Sequence, residues 1–207
     1  MSRKMNKKNN KIVREMKQCF RALHLPVENV EKGESYDFKS KIDNDNTVAQ
    51  VLVEYRPDCN CANINFSLGV TESGNFDEIR KLANLINGIT PFCQYSLCPC
   101  CNDIILHASL FVSNHELQKD KFSWLLRYML EIAHLANPAI GMLVFMGGPA
   151  EKYYNICKDN IWNVTCQEQG LSEEMKDDVL NGLVSVFADI NIVGGALEEP
   201  KAAEVSR

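Results

Sequence analysis

The 207-residue sequence has no uninterrupted apolar stretch of 18 or more residues and no signal-peptide pattern at its start. A bilayer-spanning helix needs about 20 predominantly apolar residues, so we expect no membrane segment. The opening run MSRKMNKKNN is polar and basic and leads directly into an amphipathic segment, unlike a secretion signal. The sequence therefore predicts a cytoplasmic protein that does not associate with a membrane.

Recognisable catalytic signatures are missing as well. The chain contains no H-E-x-x-H pair, no motif for a serine nucleophile and no paired catalytic carboxylates. The stretch MGGPAEK at 146–152 resembles an anion-binding helix start but lacks the G-x-x-x-x-G-K-[ST] spacing that surrounds phosphates. We expect a non-enzymatic protein that uses no cofactor.

Positive charge is scarce outside the first residues. The formal net charge is −5, yet residues 1–17 carry seven Lys or Arg against the single Glu15, so the rest of the chain is more acidic than the total suggests. An acidic body is poorly suited to the phosphate backbone of nucleic acids, and we expect no nucleic-acid partner. We interpret the basic start as a solvated lead-in to a helix, and contact with nucleic acid or an acidic partner is the alternative.

Cysteine, in contrast, is abundant. There are nine cysteines, an odd number, in a chain long enough to bury a substantial core without covalent cross-links. A complete disulfide framework is therefore not expected, and reduced thiols fit an intracellular protein.

Hydrophobic periodicity predicts a helix, a three-stranded antiparallel meander, a second helix, a hairpin and a long third helix. The ranges are a helix at 11–24, strands at 35–42, 47–55 and 62–70, a helix at 75–89, and hairpin strands at 92–98 and 104–112. The long helix has capping-box spacing at Ser113 and Glu116 and is predicted to stop at Asn137-Pro138. This order predicts an α+β two-layer fold, with a five-stranded, mostly antiparallel sheet and helices on its apolar face.

The domain organisation follows from the same pattern. We predict a flexible basic start at 1–10, the α+β domain at 11–137, a helical extension at 138–193 and a disordered tail at 194–207. The extension would comprise a short strand or buried loop at 140–148, a helix from Pro149 to about Trp162, and a last helix capped by Ser172.

Element order and hydrophobic pattern over residues 11–137 resemble the YbjN-like family, whose fold is that of type III secretion chaperones. The residues that carry the likeness are LANLINGI, CQYSLCPCCNDIILHASLFV and SNHELQKDKFSWLLRYMLEIAHLANP. The family is described as bacterial sensory-transduction regulators and chaperone-like proteins, commonly dimeric. The resemblance implies a module that works through protein contacts.

The sheet face opposite the helices is predicted to dock a protein partner or a second copy of the chain. The long helix is apolar around most of its circumference, so it needs cover from another subunit or from the C-terminal third. A homodimer is the simplest way to supply that cover. The predicted docking residues are Asn63, Asn65, Ser67, Ser96, His107, Phe111, Trp124 and Tyr128.

The cysteine-rich turns leave three interpretations open. Cys98 and Cys101 form a C-x-x-C, but redox chemistry of the thioredoxin type needs a helix N-terminus or a nearby cation, and this motif joins two strands. Four thiolates could instead hold zinc; they would come from Cys59, Cys61, Cys98 and Cys101. If the helix between the turns is a crossover connection, the two turns lie at opposite ends of the sheet and one chain cannot unite them. The remaining interpretation is that these are reduced cysteines without a ligand.

Overall fold

The computed structural model describes residues 3–27, 29–32, 35–41, 50–70, 74–112 and 116–169. These residues form an α+β fold, which confirms the predicted class. The helices are α1 (Arg3–Ala22), α2 (Phe76–Asn87), α3 (Lys119–Met146) and α4 (Ala150–Gln169). The strands are β1 (Asn29–Lys32), β2 (Tyr36–Ser40), β3 (Gln50–Arg56), β4 (Cys61–Val70), β5 (Gln94–Leu97) and β6 (Asp103–Phe111).

All six strands belong to one sheet in the order β1-β2-β3-β4-β6-β5, and every neighbouring pair is antiparallel. The first four strands form a meander. Helix α2 then carries the chain past the position of β6 to the edge, where β5 begins, and the hairpin returns β6 to pair with β4. The five predicted strands are present, and β1 adds a sixth at the opposite edge.

Strict alternation of buried and partly exposed side chains explains the sheet. In β3, Val51, Val53 and Tyr55 are fully buried while their neighbours are only half-buried or exposed. The same period of two occurs in β4 and β6, as expected for strands with one covered face. The buried face contacts the helices. Phe20 of α1 stacks on Phe38 of β2, with ring centroids 6.0 Å apart.

Helix α3 is the central helix of this layer. It packs against α1, α2 and strands β4 and β6. It is also the one helix in the described ranges that is long and apolar enough to cross a membrane by length and composition. The core helix of a soluble protein passes the same test, and Phe122, Met129 and Leu143 of α3 are fully buried.

The predicted stop at Asn137-Pro138 is wrong, because α3 continues through Pro138 to Met146 and includes the residues predicted as a short strand or buried loop. A helix-interior proline costs about 3 kcal/mol, since it lacks an N–H and its ring crowds the preceding turn. Ile140 and Leu143 lie in the next turn and are fully buried, each side chain contributing about 1.5–3 kcal/mol. Burial of the continuing apolar stripe therefore outweighs the local penalty.

The other helix boundaries differ from prediction in smaller ways. Helix α1 begins at Arg3, so part of the segment predicted as flexible is helical. Helix α3 begins at Lys119; Glu116 precedes it outside the helix, and Ser113 lies outside the described residues, so the predicted capping box is not the helix start. Helix α4 begins at Ala150, one residue after the predicted start, and extends beyond Trp162. The predicted last helix and tail lie outside the described residues.

The chain divides into two compact units, residues 1–165 and residues 166–207. The sheet, helices α1 to α3 and most of α4 belong to the first unit. The described part of the second unit is the last turn of α4, residues 166–169.

Candidate functional site

The sheet face turned away from the helices is a candidate docking surface. We call it the open face and define it by the outward-pointing side chains of β4, β6 and β5. It includes six of the predicted docking residues: Asn63, Asn65, Ser67, Ser96, His107 and Phe111. Strand register places Asn65 opposite His107, and Ile105 lies between Ser67 and Ser96. Directly opposed residues have Cβ atoms about 4.5–5.5 Å apart, so the six form one surface.

Side chains on the open face are linked by short polar contacts. Ser109 Oγ donates to Asn63 Oδ1 at 2.8 Å. Ser96 Oγ lies 3.4 Å from His107 Nδ1. Phe111 lies at the end of β6 and is 76% exposed, although Phe is usually among the most buried residue types. The face thus combines hydrogen-bonding groups with an exposed aromatic ring, and aromatic residues are enriched at protein interfaces.

Ser67 has a structural role within this face. Its Oγ donates to Asp103 Oδ2 at 2.6 Å, and the N–H of Gly69 donates to Asp103 Oδ1 at 3.0 Å. The β4–β6 register shifts between Ser67 and Val70, and Gly69 has φ +100°, a conformation that favours glycine. Asp103 therefore holds a β-bulge in place, with both carboxylate oxygens engaged.

The two aromatic anchors predicted on α3, Trp124 and Tyr128, do not lie on the open face, and they differ from each other in burial. Tyr128 is fully buried, and its hydroxyl donates to Thr165 Oγ1 at 2.9 Å, which in turn donates to the carbonyl of Ile89 at 3.0 Å. Helix α4 therefore covers this side of α3, so Tyr128 is a core residue and its assignment as a docking anchor is wrong. Trp124 is half-buried, and its ring stacks on Tyr128 at 5.7 Å.

Exposed apolar side chains lie instead at the end of α3. Phe145 is 90% exposed, and Met146 next to it is also exposed. The surplus apolar surface predicted for the long helix is thus displaced from its middle to its C-terminal turn.

The two cysteine-rich turns lie at opposite ends of the sheet. Cys61 pairs with Phe111 at one end of the β4–β6 ladder and Val70 pairs with Asp103 at the other. The turn that contains Cys59 adjoins the first end, and Cys98 and Cys101 adjoin the second. Eight residue-to-residue steps along β6, from Asp103 to Phe111, separate the ends by roughly 26 Å, so a single chain cannot combine these four thiolates around one ion.

The turn between β5 and β6 gathers a different set of sulfurs. We call residues 98–102 the cysteine turn. The Sγ atoms of Cys98, Cys100 and Cys101 all lie within 4.8 Å of one another, and those of Cys98 and Cys100 are 3.0 Å apart. Cys100 and Cys101 are exposed and Cys98 is half-buried. Solvent therefore reaches the cluster.

Backbone hydrogen bonds fix this turn. The N–H of Cys98 donates to the carbonyl of Asp103 at 2.8 Å, and the N–H of Asn102 donates to the carbonyl of Cys98 at 2.9 Å. Asn102 has φ +56°, the left-handed conformation that Asn tolerates better than most residues. This hairpin loop turns the three sulfurs toward one another.

The thiols of the turn differ in acidity. Hydrogen bonds from the thiols and backbone amides of Cys100 and Cys101 lower the pKa of Cys98 to about 7. The hydrogen bond to Cys98 raises the pKa of Cys100 to about 11. Burial raises the pKa of Cys93 to about 12 and that of Cys157 to about 11, so these two thiols are unreactive core residues. Near neutral pH the thiolate of Cys98 is therefore favoured over that of Cys100.

The glycine-rich stretch before α4 leads to a helix N-terminus whose anion position is filled by a side chain of the protein. Glu78 of α2 accepts a hydrogen bond from the N–H of Ala150 at 2.6 Å, and Lys81 forms an ion pair with Glu151 at 2.6 Å. A carboxylate thus fills the position an anion would take at this helix N-terminus.

No protein-family model matches the chain, and no curated protein or solved structure matches it. The resemblance to the YbjN-like family stays a prediction.

Sequence reasoning left Cys100 out of the candidate zinc ligands and gave Asp103 no structural role. The first was left out because the zinc interpretation took two cysteines from each turn, although the C-x-C of Cys98 and Cys100 is visible in the sequence. The role of Asp103 depends on the β-bulge in the β4–β6 ladder, and no local sequence pattern predicts that bulge.

Proposed function

We propose that the protein is a non-enzymatic protein-interaction module, of chaperone-like or regulatory character, that acts as a cytoplasmic homodimer. The regulatory or chaperone-like character rests on the resemblance of residues 11–137 to the YbjN-like family. The cytoplasmic location rests on the abundance of reduced cysteines.

The exposed ring of Phe111 on the open face is the observation that carries this proposal. Packing a helix layer on one side of an antiparallel sheet satisfies the core and leaves the other side to water or to a partner. Cys61 lies directly opposite Phe111 in the ladder. The hydrogen-bonded Asn63 and Ser109 form the next pair on the same face. Polar groups therefore flank the ring on one side, and polar groups also form the rim around a buried aromatic anchor in protein interfaces.

The second copy of the chain is the occupant we propose for this face. Its own open face offers the same donors and acceptors, and a two-fold axis would place each Phe111 against the partner's amide-rich strands. Such an isologous arrangement is the commonest among soluble oligomers.

The test is the oligomeric state in solution, measured by light scattering during size-exclusion chromatography over a wide concentration range. Phe111→Asp should convert the dimer to a monomer, because an unpaired carboxylate would be buried at the interface. Phe145→Asp is the matched control, since it introduces the same charge at an exposed phenylalanine at the end of α3. It should leave the dimer intact.

Two results would contradict the proposal. A wild-type monomer at all concentrations would remove the homodimer. A dimer that Phe145→Asp dissociates and Phe111→Asp does not would move the interface from the open face to the C-terminal turn of α3.

A further inference from the structure

Three thiols on four consecutive residues have no role in the dimer proposed above. They lie at the accessible tip of the β5–β6 hairpin. The hydrogen bonds described for the open face do not include them. Of the described residues, Cys98, Cys100 and Cys101 are the group whose ligand atoms could jointly reach a metal ion.

The spacing of the sulfurs fits one soft metal ion. Zn–S bonds are about 2.3 Å long, so two thiolates on a tetrahedral ion lie about 3.8 Å apart. The turn spaces its sulfurs between 3.0 and 4.8 Å. Bringing all three to bonding distance requires rotation of the cysteine side chains, for which the exposure of Cys100 and Cys101 leaves room.

The backbone of the turn also favours a bound thiolate. The amides of Cys100 and Cys101 donate hydrogen bonds to the sulfur of Cys98. Donors of this kind orient a ligand and stabilise its negative charge when a metal is bound. The loop is therefore pre-organised around the sulfur that precedes the other two.

We propose that Cys98, Cys100 and Cys101 bind one thiophilic d10 cation per chain, Zn²⁺ or Cu⁺, through three thiolates. Thiolate ligands select these soft ions over Mg²⁺ or Ca²⁺. Asp103 is not among the residues whose ligand atoms lie together in this cluster, and its two oxygens already accept hydrogen bonds from Ser67 and Gly69. The remaining coordination position of a zinc ion would thus be open to water or to an external ligand.

The experiment uses the full chain, reduced and stripped of metal by a chelator. One arm titrates Zn²⁺ against a chromophoric chelator, and a second, anaerobic arm titrates Cu⁺ against a Cu⁺-specific chelator. The proposal expects one ion per chain in at least one arm, with ultraviolet thiolate-to-metal absorption. The arm with the tighter binding identifies the ion.

Each single substitution, Cys98→Ser, Cys100→Ser or Cys101→Ser, should weaken binding more than about tenfold, or about 1.4 kcal/mol. The control is the double variant Cys59→Ser/Cys61→Ser, which removes two thiols at the other end of the sheet and should bind as the wild type does. Circular dichroism of every variant verifies the fold. We expect the cysteine-to-serine substitutions to leave the spectrum unchanged.

Three outcomes would overturn the proposal. The first is the absence of stoichiometric binding in both arms. The second is one ion per two chains, which would place the site between copies. The third is an equal loss of affinity in the control variant. None of these depends on whether Phe111 forms the dimer interface, so the two proposals fail separately.

Discussion

The hydroxyl of Tyr95 donates a hydrogen bond of 2.5 Å to Oδ1 of Asn137, joining the edge strand β5 to the middle of α3. Both side chains are buried. Asn137 immediately precedes Pro138, so the bond anchors the helix at the point where its own backbone bonding is weakest.

Loss of this bond should destabilise the fold. We expect Tyr95→Phe to lower the free energy of unfolding by about 1–3 kcal/mol, because Asn137 would keep a buried acceptor without its Tyr95 donor. Urea denaturation measures the change.

Tyr55→Phe is the matched control. The Tyr55 hydroxyl is also buried but has no hydrogen-bond partner among the described residues. Its removal should be neutral or stabilising by up to about 1 kcal/mol. Equal losses in the two variants would show that the Tyr95–Asn137 bond contributes nothing specific.

Replacement of Pro138 should strengthen α3. Pro138 is exposed, so its ring is not needed for core packing. An alanine would restore an N–H to the helix, and we expect Pro138→Ala to raise the free energy of unfolding by about 1–3 kcal/mol. Thermal unfolding followed by circular dichroism measures this. A lower melting temperature would mean that the rest of the fold requires the proline's local geometry.

Gly141 inside α3 and Gly147 directly after its last residue should respond in opposite directions to alanine. Gly147 ends the helix with φ +66°, and a Cβ there would lie 3.3 Å from Asn75 Nδ2, so Gly147→Ala should cost about 1–2 kcal/mol. Gly141 lies inside the helix with open space around it, and Gly141→Ala should gain about 0.5–1 kcal/mol. Chemical denaturation of both variants tests the pair. Changes of the same sign would contradict the end of α3 at Met146.

Thiol reactivity should separate Cys98 from Cys93. A pKa lowered to about 7 makes Cys98 largely thiolate at slightly alkaline pH, whereas Cys93 has a pKa of about 12 and stays a buried thiol. In reduced, metal-free protein, the rate of iodoacetamide labelling at Cys98 should rise with pH to a plateau, with its midpoint near 7. Tandem mass spectrometry assigns the label.

Removal of one donor tests the cause. Cys100→Ala deletes the thiol that donates to the Cys98 sulfur and should move the midpoint upward, toward the ordinary cysteine value of 9.0. An unchanged midpoint in this variant, or rapid labelling of Cys93 in the wild type, would contradict the arrangement of the turn.

The sheet could be predicted from sequence because each of its longer strands alternates with a period of two, as Val51, Val53 and Tyr55 do. Strand β1 escaped prediction, since NVEK is too short to show a period. The end of α3 was misplaced because the rule against proline in helices is local, whereas burial of Ile140 and Leu143 depends on the whole fold. Tyr128 could not be assigned to the core without knowing that Thr165 of α4 reaches its hydroxyl.

For the cysteine turn, too, the sequence predicts some features, whereas others depend on the folded backbone. Spacing alone identified Cys98 and Cys101, and topology correctly separated them from Cys59 and Cys61. The backbone conformation of the loop, with Asn102 in the left-handed region, determines which sulfurs lie close together in the turn. Side-chain spacing cannot supply that information.

The outermost strands β1 and β5 contain four residues each, fewer than any strand between them. The unpaired N–H and C=O groups of an edge strand can form hydrogen bonds with a strand of another chain. A short edge strand limits the number of such hydrogen bonds. The protein should therefore resist growth into ribbon-like polymers even when it is concentrated.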